Sequence, residues 1–234
     1  MFFVRHLLHK LTTALTIALT LTLTLSSAAS AQLIQSGVDY DVLEKTTMVT
    51  PGKKVEVTEF FGYFCPHCYA LDPILEDWVK GQGDKISFTR LHTSYFGKTL
   101  EQQRMYFALE AMGVSEQQHK KIFDAIHLKR QSLNDDKSIQ EFVAKQGIDL
   151  QKYLEVSTSF SVRTKAVHTA QLEDFYRLSG VPNIVIDGRY LTSPVLAGRR
   201  LPKNLPEAAY VTALLPVLDA LVSKAAAERA AAAK

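Results

Sequence analysis

The stretch from Val55 to Tyr69 constrains the fold of this chain more than any other. Its first part, residues 55–61, alternates apolar and polar residues and ends in two aromatics, which is typical of a buried strand. After Cys65 the apolar residues recur every three or four positions, which predicts a helix. The only two cysteines of the 234-residue chain, Cys65 and Cys68, therefore lie where a strand is followed by a helix.

The first turn of a helix is a place that favours a thiolate. Unpaired backbone N–H groups and the positive end of the helix dipole lie there, and both stabilise negative charge. Pro66 suits this turn because it lacks an N–H, and His67 can add a positive charge or a donor. We therefore expect Cys65 to be an exposed nucleophile with a low pKa. Cys68, one turn further in, is expected to be the buried resolving thiol.

Two other uses of a cysteine pair fit this sequence less well. A metal site takes about four ligands, usually two such pairs or one pair with histidines, and the remaining histidines show no ligand spacing. A purely structural disulfide would close a very short loop, which the chain-entropy model credits with roughly 2 kcal/mol of stabilisation. Redox chemistry without a metal is the interpretation that the pair favours.

The first 31 residues have the pattern of a secretory signal peptide. Arg5 and Lys10 make a basic beginning, Leu11 to Leu25 is apolar and uncharged, and a small-residue cleavage site ends at Ala31. A membrane anchor is the alternative, but the apolar stretch is short for a span of about 20 residues. We predict cleavage after Ala31 and export to an oxidising compartment, where a disulfide persists.

The charge balance gives no support to a nucleic-acid partner. The chain has 27 Lys and Arg against 24 Asp and Glu, and two of those basic residues belong to the predicted signal peptide. The mature chain is then almost neutral, and it has no basic stripe interleaved with aromatic residues. No second apolar span follows, so we expect a soluble protein of one domain, with or without an insertion, and a monomer.

The pattern beyond the cysteines predicts a strand at 86–91 and helices from Leu100 to Leu178. Val38 to Leu43 also alternates and is a candidate first strand, and Thr50-Pro51-Gly52 a turn. Strand, helix and strand in this order predict a parallel βαβ unit. Within the helical segment we expect ends at glycines 113 and 147 and a break near 157–159. Ser115, with Gln118 in capping-box position, and Asn134 or Asp135 are predicted helix starts.

The last part of the chain predicts a hairpin and a closing helix. Two short apolar strands flank Asp187-Gly188, which indicates a type I′ turn. Pro182 precedes the first of them, and a cis bond there has a prior of only about 5% from sequence. An amphipathic helix is predicted from Glu207 to Lys224, followed by an alanine-rich frayed tail at 225–234.

Glu59 lies on the apolar side of the strand that precedes the cysteines. Alternation places it with Val55, Val57 and Phe61, and a carboxylate in such a position is costly unless it is paired or protonated. Two interpretations remain open. Glu59 is either a strand-end carboxylate that reaches solvent or an acid that exchanges protons near the cysteines.

Together these residues resemble the DsbA family of periplasmic thiol:disulfide oxidoreductases. The resemblance rests on Glu59-Phe60-Phe61, on Phe64-Cys65-Pro66-His67-Cys68-Tyr69 and on Gly180-Val181-Pro182, and it extends over the whole mature chain. The Pro-His pair between the cysteines is specific for this family, since thioredoxins have Gly-Pro there. The resemblance implies an α/β, thioredoxin-like fold with an inserted all-helical subdomain. Residues 32–97 and 179–234 would form the thioredoxin-like domain, and 98–178 the insertion.

The resemblance also implies roles, partners and a location. The implied site consists of a catalytic pair, three residues that tune it and two that hold the substrate backbone: Cys65 and Cys68; Pro66, His67 and Glu59; Val181 and cis-Pro182. No metal and no bound cofactor are implied beyond the redox-active Cys65–Cys68 disulfide. The substrates would be unfolded or folding exported proteins with free thiols in the periplasm. A quinone-linked inner-membrane partner like DsbB would reoxidise the pair.

Two alternative functions remain open. A reductase or isomerase uses the same chemistry, although an isomerase of the DsbC type is expected to bring an N-terminal dimerisation domain, and few residues precede the strand at Val55. The second alternative is a thioredoxin-fold module that binds peptides without catalysis. The pattern indicates neither the particular substrates nor the reduction potential.

Overall fold

The structure, a computed structural model, describes residues 34–47, 52, 54–94, 97 and 99–232. The predicted signal peptide and Thr50 and Pro51 of the predicted turn lie outside these residues. The described chain is an α/β protein with one five-stranded mixed sheet.

The sheet is built from two parts of the chain that lie on either side of a helical segment. Its strands are β1 (Asp41–Val42), β2 (Val55–Phe61), β3 (Ile86–His92), β4 (Asn183–Ile186) and β5 (Tyr190–Thr192). They are ordered β1-β5-β4-β2-β3, with β2 and β3 parallel and the other neighbours antiparallel. The helices are α1 (Pro66–Gln82), α2 (Leu100–Ala111), α3 (Ser115–His127), α4 (Asp136–Lys145), α5 (Leu150–Ser157), α6 (Phe160–Phe175), α7 (Pro194–Ala197) and α8 (Glu207–Ala232). The predicted βαβ unit is confirmed as β2-α1-β3.

Three apolar clusters hold these elements together. The first joins one face of the sheet to α1 and α8 and includes Val57, Leu75 and Leu214. The second fills the helical segment α2–α6 and reaches the sheet at Phe61 of β2. A third, smaller cluster packs Phe60 on the opposite face. Each large apolar side chain buried in this way contributes about 1.5–3 kcal/mol. On β2 the first two clusters meet, and Glu59 is the residue between them.

Most helices begin and end near the residues that the sequence predicted. Glycines 113 and 147 both have a φ of 73° and come directly after the C-cap residues of α2 and α4. Asp135 caps α4, since its side chain accepts a hydrogen bond from the N–H of Ser138. The capping box at Ser115 is wrong. The N–H of Gln118 donates to the carbonyl of Val114, so the helical turn already starts at Val114 and Ser115 is its first full residue.

The two ends of the chain differ from the predictions. Strand β1 has only two residues because a turn precedes it, in which Gly37 has a φ of 79° and the Asp39 carboxylate accepts the N–H of Gln35 at 2.7 Å. Helix α8 does not fray after Lys224 but runs to Ala232, with Ala225 wholly buried.

The expectation of no second apolar span also needs correction. Among the described residues, α8 is the one helix whose length and composition would suffice to cross a membrane. In this structure its apolar side chains pack inside the protein. Seven of them, from Val211 to Ala225, are buried, and they belong to the cluster shared with the sheet and α1.

Candidate active site

The two cysteines lie at the start of α1, just after the loop that follows β2. Cys65 is the N-cap of α1, with extended backbone, and Pro66 is the first helical residue. The N–H of Cys65 donates to the carbonyl of Gly62 at 3.0 Å, which closes the loop ahead of the helix. Both thiols are free, and the Cys68 side chain is wholly buried. Cys65 is only 6% exposed and thus more covered than its sequence position suggested.

The pKa values of the two thiols are shifted in opposite directions. The pKa of Cys65 is lowered to about 6, first by a hydrogen bond from Cys68, then by the backbone N–H groups of Cys68 and His67 and by the charge of His67; burial opposes the shift. Burial raises the pKa of Cys68 well above its ordinary value, and the charges of Cys65 and Glu59 add to this. The outer sulfur is therefore a thiolate at neutral pH, and the inner one keeps its proton.

The loop before β4 covers the Cys65 sulfur. The Val181–Pro182 peptide bond is cis, as the resemblance implied. The Sγ of Cys65 lies 3.5 Å from the carbonyl oxygen of Val181, and the Asn183 amide donates to the carbonyl of Gly180 at 2.6 Å. This contact with Val181 explains why the nucleophile candidate is mostly covered. It also places the backbone of the cis-proline loop next to the sulfur.

A groove of about 470 Å³ opens beside this loop. Its walls combine the cis-proline loop with α1, α7 and the start of α8, and they include His67, Val181, Pro182, Val195, Leu205 and Glu207. Val195 is 73% exposed, an unusual degree of exposure for an apolar side chain. An apolar concave surface beside a reactive thiol can hold the side chains of an extended peptide.

His67 is paired with a carboxylate that the sequence analysis did not identify. Its Nδ1 lies 2.5 Å from Oε1 of Glu207, the first residue of α8, and both side chains are partly exposed. The hydrogen bond to Glu207 raises the pKa of His67, and the charges of Glu207 and Cys65 add to the rise. The two residues are 140 positions apart, and no local pattern connects them.

Glu59 belongs to a buried network behind the cysteines. It is 2% exposed, so the interpretation of a solvent-reaching carboxylate is wrong. Arg90 pairs with it through Nε and Oε2 at 3.1 Å and also lies 3.5 Å from Oδ1 of Asp72. Burial raises the pKa of Glu59, while the charge of Arg90 opposes the rise. The alternation argument identified Glu59, but no sequence pattern identified its partner Arg90.

The same network extends into the helical segment. Nε2 of His119 lies 2.9 Å from Asp72, and Nδ1 of the same ring lies 3.0 Å from the Tyr63 hydroxyl. The two nitrogens of the His119 ring therefore link Asp72 of α1 to the Tyr63 hydroxyl. Helix α3 is thereby tied to the loop that carries Cys65.

His92 fixes the same loop from the sheet side. The backbone N–H of Tyr63 donates to its Nε2 at 3.0 Å, so that nitrogen carries no proton. Burial lowers the pKa of His92 to about 3, which keeps the ring neutral.

In the described part of the chain no group of three or more His, Cys, Asp or Glu side chains has an arrangement that would hold a metal ion.

Comparison with known proteins identifies the family. Residues 81–208 match the DSBA-like thioredoxin domain, a region that begins after the two cysteines. The thiol:disulfide interchange protein DsbA of Burkholderia cepacia is 38% identical over 167 residues, which cover 71% of this chain and 79% of that protein. DsbA of Bordetella pertussis is 41% identical over 149 residues, covering 64% and 70% of the two chains. The crystal structure of Pseudomonas aeruginosa DsbA superimposes with a TM-score of 0.74 at 31% identity, over 86% of this chain and 97% of that one.

These similarities confirm the predicted fold class, an α/β thioredoxin-like fold with an inserted helical segment. They also agree with what the cysteine pair is chemically able to do. The relatives are named for thiol:disulfide interchange, and this chain places one stabilised thiolate beside one protonated thiol. By fold, sequence and relatives alike, the chain belongs to the DsbA family of thiol:disulfide oxidoreductases.

Proposed function

We propose that this oxidoreductase passes the Cys65–Cys68 disulfide to newly exported proteins and uses no bound cofactor and no metal. The observation that carries the proposal is the opposite shift of the two thiol pKa values, to about 6 for Cys65 and well above the ordinary value for Cys68. A stabilised thiolate makes the reduced form favourable, and an oxidised protein of this kind gives its disulfide away readily.

In the first step a substrate thiolate attacks Sγ of Cys65 in the oxidised protein. The substrate–Cys65 bond forms and the Cys65–Cys68 bond breaks, so Cys68 leaves with the electron pair. Its raised pKa means that Cys68 takes up a proton in the interior. Glu59, whose charge acts on Cys68 and whose own pKa is raised by burial, is the group that we assign to take up a proton from solvent and pass it to Cys68.

In the second step another thiolate of the substrate attacks the substrate sulfur of the mixed disulfide. The substrate disulfide forms, and Cys65 leaves as a thiolate. The substrate dithiol has lost two electrons, and the cysteine pair has gained them. Hydrogen bonds from Cys68 and from backbone N–H groups hold the departing charge, which makes Cys65 a good leaving group.

The residues around the sulfur have assigned roles in holding the substrate. Val181 and cis-Pro182 would contact the substrate backbone, and the groove beside them would take apolar side chains. Pro66 sets the first turn of α1, and His67 adds positive charge next to the thiolate. We assign residues 32–97 and 179–234 to the thioredoxin-like domain and 98–178 to the insertion, which contains α2–α6.

We place the reaction in the periplasm, after removal of residues 1–31. Reoxidation there would need a quinone-linked membrane protein of the DsbB kind, which takes the two electrons from the Cys65–Cys68 dithiol. Relatives named DsbA support this placement. The first 31 residues, with a basic start followed by an apolar stretch, are compatible with it.

Oxidation of a reduced, unfolded protein with two cysteines tests the proposal. Protein lacking residues 1–31 should form the substrate disulfide in stoichiometric amounts, and Cys65→Ser should abolish this. Cys68→Ser, incubated with the oxidised substrate, should instead accumulate the mixed disulfide, because the Cys65 thiolate attacks the substrate disulfide, one substrate thiolate leaves, and no Cys68 thiolate is present to break the new bond. If Cys65→Ser retained oxidase activity, or if the pair stayed oxidised in a reducing glutathione buffer, the proposed donor function would fail. Peptide binding that survives in Cys65→Ser without any oxidation in the wild type would support the non-catalytic alternative.

A further inference from the structure

We propose that Glu207 is a positioning residue of the redox centre, which holds the His67 ring in place and in its cationic form beside the Cys65 sulfur. The inference rests on the proposed thiolate chemistry at Cys65 and assigns a function to a side chain outside the motif. Glu207 comes from the far end of the chain, at the first residue of α8.

The geometry of the pair supports this role. His67 is the residue between the two cysteines that carries a titratable side chain, and it lies in the first turn of α1 with 68% of that side chain exposed. The contact of its Nδ1 with Oε1 of Glu207 at 2.5 Å connects α1 to α8 across the mouth of the groove. A ring held by a carboxylate at one nitrogen keeps one orientation and favours the doubly protonated state.

The electrostatic consequence depends on what else faces the ring. In the described part of the chain the charged groups that act on His67 are Glu207 of α8 and Cys65 at the start of α1. The groove has one further titratable wall residue, Tyr210, whose hydroxyl donates to the carbonyl of Pro202. The charge of His67 is among the causes of the low pKa of Cys65, and Glu207 is not among the principal groups that act on that sulfur. Glu207 therefore reaches Cys65 mainly through His67.

This arrangement determines how the redox equilibrium depends on pH. The imidazolium stabilises the thiolate in full only if His67 is also charged when Cys65 is in a disulfide, since otherwise the ring must first take up a proton. Glu207 keeps the ring charged to higher pH. The contribution of Glu207 should thus be greatest at pH 7 to 8 and small near pH 5.5, where His67 is protonated with or without a partner.

The test compares Glu207→Gln with Glu76→Gln in protein lacking residues 1–31. Glu76 is a matched control because its carboxylate is 45% exposed against 43% for Glu207 and is also paired with one cation, Lys80. We expect Glu207→Gln to lower the pKa of His67 measured by NMR. At pH 7.5 the ratio of oxidised glutathione to the square of reduced glutathione at which half of the pair is oxidised should fall by about 2–5-fold, because the reduced form is less stabilised. At pH 5.5 the same ratio should fall by less than about 1.5-fold. Glu76→Gln should change neither quantity.

A second comparison separates positioning from a general structural effect. In a His67→Ala protein, Glu207→Gln should have no further effect on the equilibrium at pH 7.5, because the group through which it acts is gone. An unchanged His67 pKa, an effect of equal size at both pH values, or an effect that persists in His67→Ala would overturn the assignment. Failure of the proposed function would appear separately, as a wild-type protein that does not oxidise a reduced substrate.

Discussion

Glu59 and Arg90 are register partners on the parallel strands β2 and β3, and their side chains meet in the interior with Nε 3.1 Å from Oε2. Neither side chain is more than 5% exposed. Directly opposite positions on neighbouring strands bring side chains to the same face, so the sheet register itself makes this pair. Arg90 also contacts Asp72, so one guanidinium serves two buried carboxylates below the cysteines.

Removal of Arg90 should therefore be among the most destabilising single changes in this part of the fold. Arg90→Met leaves Glu59 and Asp72 buried without their cation, and breaking a buried ion pair in this way typically costs about 3–5 kcal/mol of unfolding free energy. Urea unfolding of the reduced protein at pH 7 measures it. The matched control is Lys152→Met, which removes an exposed pair with Glu155 and should cost less than about 1 kcal/mol. Equal losses in the two variants would show that the buried carboxylates do not need Arg90.

The Cys68 thiol should matter more to the thiolate than His67 does. The hydrogen bond from Cys68 is the largest cause of the low pKa of Cys65, while the charge of His67 is a smaller one. Cys68→Ala removes this donor and should raise the pKa of Cys65 by about one unit or more. Cys68→Ser keeps an O–H donor and should retain most of the shift, and His67→Gln should shift the pKa less than Cys68→Ala. Thiolate absorbance against pH measures all three, and an identical pKa in the Ala and Ser variants would contradict the assigned cause.

The ionisation of Cys65 should make the stability of the reduced protein rise with pH. Below about pH 5 the thiol is protonated in both the folded and the unfolded chain and contributes nothing to the unfolding free energy. Above the folded pKa of about 6 the folded protein releases a proton that the unfolded chain retains up to about pH 8.5. The stability conferred by the thiolate is therefore fully present above that unfolded pKa and is lost as the pH falls through 6.

Denaturant unfolding of reduced wild type and Cys65→Ser at several pH values isolates this contribution. The difference between the two proteins should be flat below about pH 5 and then rise by at most about 1.4 kcal/mol per pH unit until about pH 8. The pKa of His67 is raised by Glu207, so His67 makes the unfolding free energy fall with rising pH. This contribution is common to both proteins and largely cancels in their difference. A difference that falls with rising pH would mean that Cys65 is protonated in the folded state.

Local patterns were sufficient to predict the site wherever the chemistry lies in consecutive residues. Alternation in β2, the spacing of apolar residues in α1 and the Asp187-Gly188 turn predicted the strand, the helix and the hairpin, because each depends on backbone preferences of neighbouring residues. The position of Cys65 at the helix start, and hence its low pKa, follows from the same local information.

Partners from distant segments could not be predicted in this way. Arg90, the partner of Glu59, lies 31 residues away from it in the chain, and Glu207, the partner of His67, lies 140 residues away. Which residue faces which is decided by strand register and by how α8 packs on α1, and one sequence without relatives carries no signal for either. The covering of Cys65 by the Val181 carbonyl has the same origin, since it depends on the cis-proline loop folding back over α1.

The C-terminal helix holds the hairpin turn through charges that a frayed tail would not provide. Asp187, wholly buried in the turn, accepts from Nε of Arg229 at 2.6 Å, and Glu228 accepts from the Tyr190 hydroxyl at 2.6 Å. Among the residues that the structure describes, Arg189 provides the other cation on Asp187. A chain that ends at Lys224 would lose both helix contacts and the buried Ala225.

We expect that truncation to lower the unfolding free energy by about 2–4 kcal/mol, since it removes a buried apolar contact and one of two cations from a buried carboxylate. The matched control is a chain that ends at Ala230, which keeps Glu228 and Arg229 and should unfold within about 0.5 kcal/mol of the full chain. Arg229→Met in the full chain should show part of the loss without changing its length. Unfolding midpoints that are the same for the chains ending at Lys224 and Ala230 would show that the tail does not stabilise the turn, as the alanine-rich sequence alone had suggested.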